Sequence, residues 1–128
     1  MNRSKKIIKT EDAPQAIGVY SQGVEVGNLI FTSGQIPLTK NGELIKDDFK
    51  SESIQIIKNI ESILISGGSS LSDIVKITVY LTDLSLFSQL NEVFEQFFIE
   101  EPPARSAVEV KGLPMGSRIE MEAIALKR

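Results

Sequence analysis

Apolar and polar residues alternate through residues 22–33, "QGVEVGNLIFTS", in two short runs separated by Gly27-Asn28. A period of two marks a half-buried strand, and Gly-Asn suits a tight two-residue turn, so the pattern predicts a hairpin. Farther along the period changes. From about Asp48 to Ser66 the apolar set Phe49, Ile56, Ile57, Ile60, Ile63 and Leu64 keeps helical spacing, with acidic residues ahead of it and Gly67-Gly68 behind. This predicts an amphipathic helix ended by a glycine cap, and "GGSS" at 67–70 reads as that cap plus a turn, not as a phosphate loop. "DIVKITVYLTD" then predicts a strand, with Val75, Ile77, Val79 and Leu81 as its more apolar face and Ile74, Lys76, Thr78 and Tyr80 on the other.

A second helix is expected from near Asp83. Phe87, Leu90, Phe94, Phe97 and Phe98 share one of its faces, and "EEPP" at 100–103 ends it, because proline cannot continue the hydrogen-bond ladder. That stripe holds four of the six phenylalanines and reads as core packing, not as an aromatic ligand box. "ARSAVEV" and "SRIEMEAIAL" alternate as two further strands across "KGLPMG", and a short first strand is expected near residues 5–9. Asn41-Gly42 marks a turn within a short ordered excursion. Each helix has a single apolar stripe to bury, so the expected architecture is α+β, with both helices on one face of a mixed sheet. No element is left to cover the other face, which points to another subunit.

Length and composition narrow the picture. A chain of 128 residues is one domain, 1–128, and 41% hydrophobic with 24% charged residues is an ordinary globular balance. Net charge is −3, and the basic clusters "RSKK" and "LKR" sit at opposite ends, so no basic field exists to gather nucleic acid. Apolar runs are far shorter than the roughly 20 residues that cross a bilayer, and "MNRSKKIIKTED" has no signal-peptide core. A cytoplasmic protein without membrane partners is expected. Cysteine and histidine are both absent, which removes disulfides, thiolates, imidazole bases and the commonest zinc ligands. Catalysis would have to run on carboxylates, tyrosine, lysine, arginine, hydroxyls and backbone groups.

Against that background Arg105, inside "PPARSAVEV", is conspicuous. The chain has four arginines against ten lysines, and Arg3 and Arg128 lie near its ends. Strand alternation puts Arg105, Ala107 and Glu109 on one face, and Arg118, Glu120 and Glu122 on one face of the last strand, so an arginine and a glutamate could meet across the sheet. Spacing leaves two readings open: a structural ion pair of Arg105 with Glu109, Glu120 or Glu122, which is the simpler, or an anchor for a carboxylate ligand. The planar guanidinium fork binds a carboxylate bidentately, as lysine cannot. Gly34 and Ser33 in "TSGQIP" offer a close backbone approach and a hydroxyl, although turn geometry would explain the glycine equally well. Tyr20 in "AIGVYSQG" either caps a site or anchors a loop, and Asn91 in "QLNEVF" is either a surface residue or a bond to a loop.

Taken together, "AIGVYSQGVEVGNLIFTSGQIP", "NIESILISGGSSLSDIVKITVYLTD", "LNEVFEQFF" and "PPARSAVEVKGLPMGSRIEMEAIA" resemble the Rid family, the YjgF-type proteins, over nearly the whole chain. The arginine of "PARS" and the glutamate of "IEMEAIA" are those of its deaminase subgroup, the 2-iminobutanoate/2-iminopropanoate deaminases. The resemblance implies a chorismate-mutase-like α+β fold and a homotrimer with three sites in clefts between subunits, which would cover the open sheet face. It implies that Arg105 binds the substrate carboxylate and Glu120 positions the hydrolytic water. Tyr20 would approach from the neighbouring subunit, Ser33 and Gly34 would supply a hydroxyl and an amide, Asn91 would support the site, and Ala107 would offer its carbonyl.

The implied substrates are enamines and imines of small 2-oxo acids, released by pyridoxal-phosphate dehydratases and hydrolysed without metal or organic cofactor. The alternative is a non-catalytic trimeric module that binds small carboxylate metabolites. Four positions depart from the family's usual residues: Val19 for Pro, Glu52 for Gln, Phe94 for Tyr and Ala107 for Cys. The last removes any thiol-based role and opens the question of specificity.

Overall fold

Eight main elements follow one another in a computed structural model that describes residues 5–128: β1 (Lys6–Ile8), β2 (Gly23–Val26), β3 (Leu29–Thr32), α1 (Phe49–Ser66), β4 (Ile74–Leu81), α2 (Phe87–Phe97), β5 (Ala104–Glu109) and β6 (Ile119–Leu126). Arg3 and the start of the N-terminal basic cluster lie outside the described residues. The strands form one sheet in the order β1-β2-β3-β6-β4-β5, in which only the β4–β5 pair is parallel. The predicted hairpin pairs Val26 with Leu29 across Gly27-Asn28, where Gly27 takes the left-handed φ of 59° that such a turn requires.

Capping explains the bounds of α1. The Asp48 carboxylate accepts a hydrogen bond from the Ser51 amide at 2.9 Å, and the Gly67 amide donates back to the carbonyls of the last turn. Between these caps Ile56, Ile57, Ile60, Ile63 and Leu64 are fully buried, each contributing about 1.5–3 kcal/mol of transfer free energy. They pack on one sheet face, formed by Ile30, Ile77, Val79, Leu81, Ile119, Met121, Ala123 and Ala125, and Leu90, Val93 and Phe94 of α2 join the same core. Both helices therefore cover one face of a mixed sheet.

Three expectations need correction. Ile74 is buried and Val75 exposed, the reverse of the alternation anticipated for β4. The register against β6 skips a residue between Ile74 and Lys76, and this bulge turns the start of the strand over. Arg118 does not share a strand face with Glu120 and Glu122. It precedes β6 and reaches α1, where its Nη2 and Nε meet the Glu52 carboxylate at 2.6 and 3.2 Å. Leu90, Phe94 and Phe98 are core as expected, Val93 joins them and Phe97 packs against them, but Phe87 stands 39% exposed.

On the opposite sheet face Ile7, Val26, Phe31 and Leu126 are exposed, and Tyr80, Glu120 and Glu122 continue the surface. Among the described residues no helix lies on that side.

Candidate functional site

Strand register decides where the candidate groups go. Arg105 pairs with Ile77 and Ala107 with Val79, so both side chains stand on the helix-covered face, at the sheet edge that β5 forms. Glu120 pairs with Tyr80 and Glu122 with Thr78, on the opposite face. The structural ion pair considered for Arg105 is therefore not formed. Glu120 and Glu122 are behind the sheet, and the Glu109 carboxylate accepts the Leu84 amide at 3.0 Å. Among the described residues no carboxylate comes within salt-bridge distance of Arg105.

What holds Arg105 is aromatic. Its guanidinium carbon lies 4.8 Å from the ring centre of Phe94 and 5.0 Å from that of Phe87. Phe94 is core, as expected of this stripe, and it and Phe87 also face the Arg105 guanidinium. Asn91 lies between them in the helix, half-buried, and with Arg105, Phe98, Pro102 and Pro103 lines an open cleft of about 670 Å³. Burial lowers the Arg105 pKa from its ordinary value, but a guanidinium stays charged at any physiological pH. Ala107 is half-buried and packs against the core, so its methyl does not enter the cleft.

A second cleft, of about 530 Å³, gathers Tyr20, Ser33, Gly34 and Glu120, with Gln35 and Met115 at its walls. Gly34 is explained here: a Cβ on it would overlap the Glu120 carboxylate, so the absent side chain makes room for that group. Burial, and secondarily the Glu122 charge, push the Glu120 carboxyl above the usual glutamate value. Tyr20 is half exposed at the end of a loop, and its hydroxyl accepts the Ile17 amide at 3.1 Å, so it anchors the loop and lines the cleft at once. The Ser33 hydroxyl donates to the Ser21 carbonyl and its amide to the Gln22 carbonyl, which ties the loop to β3.

Composition and spacing missed Gln22. Its buried amide donates to the Pro14 and Thr10 carbonyls at 2.7 and 3.1 Å and accepts the Thr10 amide at 2.7 Å, folding residues 10–22 into the wall that presents Tyr20. Nothing in spacing marks a lone glutamine as a loop organiser. For Phe87 and Phe94 a signal did exist: two rings seven residues apart on one helix, followed by one arginine in an apolar strand.

The candidate residues thus fall into two groups, Asn91 with Arg105 on one side of the sheet and Tyr20, Ser33, Gly34 and Glu120 on the other. One holds a cation with no carboxylate partner among the described residues and the other a carboxyl whose pKa burial raises. Among the described residues no group of three His, Cys, Asp or Glu side chains could hold a metal ion, and no helix is long and apolar enough to cross a membrane.

Residues 10–127 match the family model described as Endoribonuclease L-PSP. A RutC family protein of Pyrococcus abyssi is 52% identical over 125 residues, covering 97% of this chain and 98% of that protein. The 2-iminobutanoate/2-iminopropanoate deaminase of Salmonella typhimurium is 44% identical over 126 residues, covering 96% and 98%. Among solved structures, Escherichia coli TdcF with bound serine matches with a TM-score of 0.90 at 44% identity, over 96% of this chain and 99% of that one. Two helices on a mixed open sheet is the chorismate-mutase-like arrangement, and with these matches over nearly its full length the chain belongs to the Rid family, the YjgF-type proteins.

Proposed function

We propose that the chain is a deaminase that hydrolyses enamines and imines of small 2-oxo acids, such as 2-aminoacrylate with 2-iminopropanoate, and 2-iminobutanoate, to the 2-oxo acid and ammonia. The observation that carries this reading is Arg105, a half-buried guanidinium in a cleft with no carboxylate partner among the described residues. Such a fork suits a ligand carboxylate bidentately. Glu120 supplies the other half of the chemistry by orienting water toward the imine carbon, where addition gives a carbinolamine that expels ammonia as its C=O bond forms.

The two groups lie on opposite faces of one chain, so a complete site needs a second copy. A homotrimer built on the uncovered sheet face, with Arg105 of one subunit facing Glu120, Tyr20, Ser33 and Gly34 of the next, meets that requirement and buries Phe31 and its apolar neighbours. The positive charge of Arg105 beside Glu120 favours its ionised form, opposing the effect of burial, so Glu120 serves mainly to hold water by hydrogen bonding. The substrates would come from cytoplasmic pyridoxal-phosphate dehydratases acting on serine or threonine.

Coupling the protein to such a dehydratase, with semicarbazide trapping the released imine, tests the activity. Wild type is expected to suppress the trapped adduct at substoichiometric concentration, and Arg105→Ala is expected to fail; no suppression by wild type would overturn the reading. The bound serine of the TdcF structure supports a second one, since serine offers a carboxylate but no C=N bond. In it the protein binds small carboxylate metabolites without turnover, and tight binding with no hydrolysis by wild type would favour it. Nothing observed favours cleavage of RNA: net charge is −3 and, among the described residues, Arg105 is the one cationic side chain lining either cleft.

A further inference from the structure

We infer that Phe87 and Phe94 are positioning residues that clamp the Arg105 guanidinium between two aromatic rings and leave its donors free for a ligand carboxylate. The inference rests on the reading of Arg105 as the carboxylate anchor and adds what orients that anchor. Residues seven apart on an α-helix are two turns, or about 10.5 Å, apart along its axis and share a face. A guanidinium within 5.0 Å of one ring centre and 4.8 Å of the other stands between them.

The consequence for ligand binding is electrostatic. A protein carboxylate would orient the guanidinium by occupying its N–H fork, and a substrate would then have to displace it. A ring face attracts the cation through its quadrupole and offers no acceptor of that kind to the fork. The chain uses aromatic faces where an ion pair was the simpler expectation: Glu95 lines the same cleft, yet among the described residues no carboxylate lies within salt-bridge distance of Arg105.

The two rings are not equivalent. Phe94 is buried and backed by Phe98, with ring centres 5.0 Å apart, and Phe98 is in turn neighboured by Phe97 at 6.4 Å. It is the fixed wall. Phe87 opens α2 with its ring partly in solvent, so it can be altered with little cost to the core.

Calorimetric titration with 2-oxobutanoate, together with the NMR signal of the Arg105 Nε–H group, tests the clamp on Phe87→Leu, Phe87→Tyr, Phe94→Leu and Phe94→Tyr. Phe87→Leu is expected to weaken 2-oxobutanoate binding about three- to tenfold, the range of a partly desolvated cation–π contact. Phe87→Tyr keeps the ring face and stays within about twofold of wild type. The Arg105 signal should shift upfield in wild type under the ring currents and move back in Phe87→Leu but not in Phe87→Tyr. In turnover the loss appears in KM, with kcat within about twofold, since the clamp acts on carboxylate binding.

Phe87→Leu binding as tightly as wild type, Phe87→Tyr as weak as Phe87→Leu, or an unmoved Arg105 signal would each overturn the inference. Should Phe94→Leu fail to fold, the Phe87 pair carries the test alone. Because binding is read without turnover, ring-dependent binding by a protein that hydrolyses no imine would sink the deaminase reading and uphold the clamp.

Discussion

Arg105 and Glu120 stand on opposite faces of one sheet, on strands separated only by β4: Arg105 is level with Ile77, and Glu120 is level with Tyr80. Alternation of side chains across the pleat makes this a matter of parity, because residues 77 and 80 of β4 point opposite ways. No rotamer change brings the two together within one chain. A site that uses both is a site between chains.

Subunit mixing follows from that parity. Arg105→Ala and Glu120→Gln should each be inactive alone, but trimers refolded from an equal mixture should recover about one quarter of wild-type activity, the fraction of sites that receive both native residues from different subunits under cyclic symmetry. Imine trapping measures it, and no recovery in mixed trimers verified by native mass spectrometry would rule out the shared site.

The Glu120 carboxyl gives a pH signature. Burial and Glu122 raise its pKa above the usual 4.5 in the single chain. A carboxyl whose folded pKa is raised binds more protons folded than unfolded, so its contribution to stability falls as pH rises through the interval between 4.5 and that raised value. Glu120→Gln monomer should accordingly be more stable than wild-type monomer at pH 7, the difference disappearing toward pH 4 in thermal melts. In the proposed trimer a facing guanidinium would act the other way, so Arg105→Ala should raise the Glu120 pKa seen by carbon NMR. An unchanged value would show that Arg105 does not face it.

Gly34→Ala separates space from backbone conformation. Gly34 is not among the glycines of positive φ, so alanine fits the backbone, and the conflict is with the Glu120 carboxylate. Displacing that group by about 1 Å should cost on the order of a hundredfold in kcat/KM while leaving the fold intact by circular dichroism. Gly112→Ala, whose Cβ would meet nothing within 4 Å, is the control and should be silent.

Glu52 and Arg118 provide a stability test away from the clefts. The Glu52 side chain is 4% exposed and that of Arg118 is 43% exposed, so Arg118→Ala strands a buried carboxylate whereas Glu52→Gln strands a cation that water can reach. Arg118→Ala should lose about 3 kcal/mol in urea unfolding, and Glu52→Gln should lose less than half of that. Equal losses would mean that the pair is not desolvated as its geometry implies.

Local patterns were legible wherever neighbours in sequence are neighbours in space. The Gly27-Asn28 hairpin and the glycine-capped helix α1 each depend on a few consecutive residues, and each formed as expected, whereas α2 ends at Phe97, ahead of the proline stretch. The Ile74/Val75 inversion was illegible because the bulge arises from pairing with β6, some fifty residues away in the chain. The Glu52–Arg118 pair, the Gln22 anchor and the clearance between Gly34 and Glu120 were illegible for the same reason.

By itself the sequence determined the class of fold, the single uncovered sheet face and the singular status of Arg105, since periodicity and composition are properties of the chain alone. Only the tertiary structure decided which face each strand residue occupies, because strand order and register are collective. It left Arg105 between two rings with no salt-bridged carboxylate among the described residues and put Glu120 behind the sheet over Gly34.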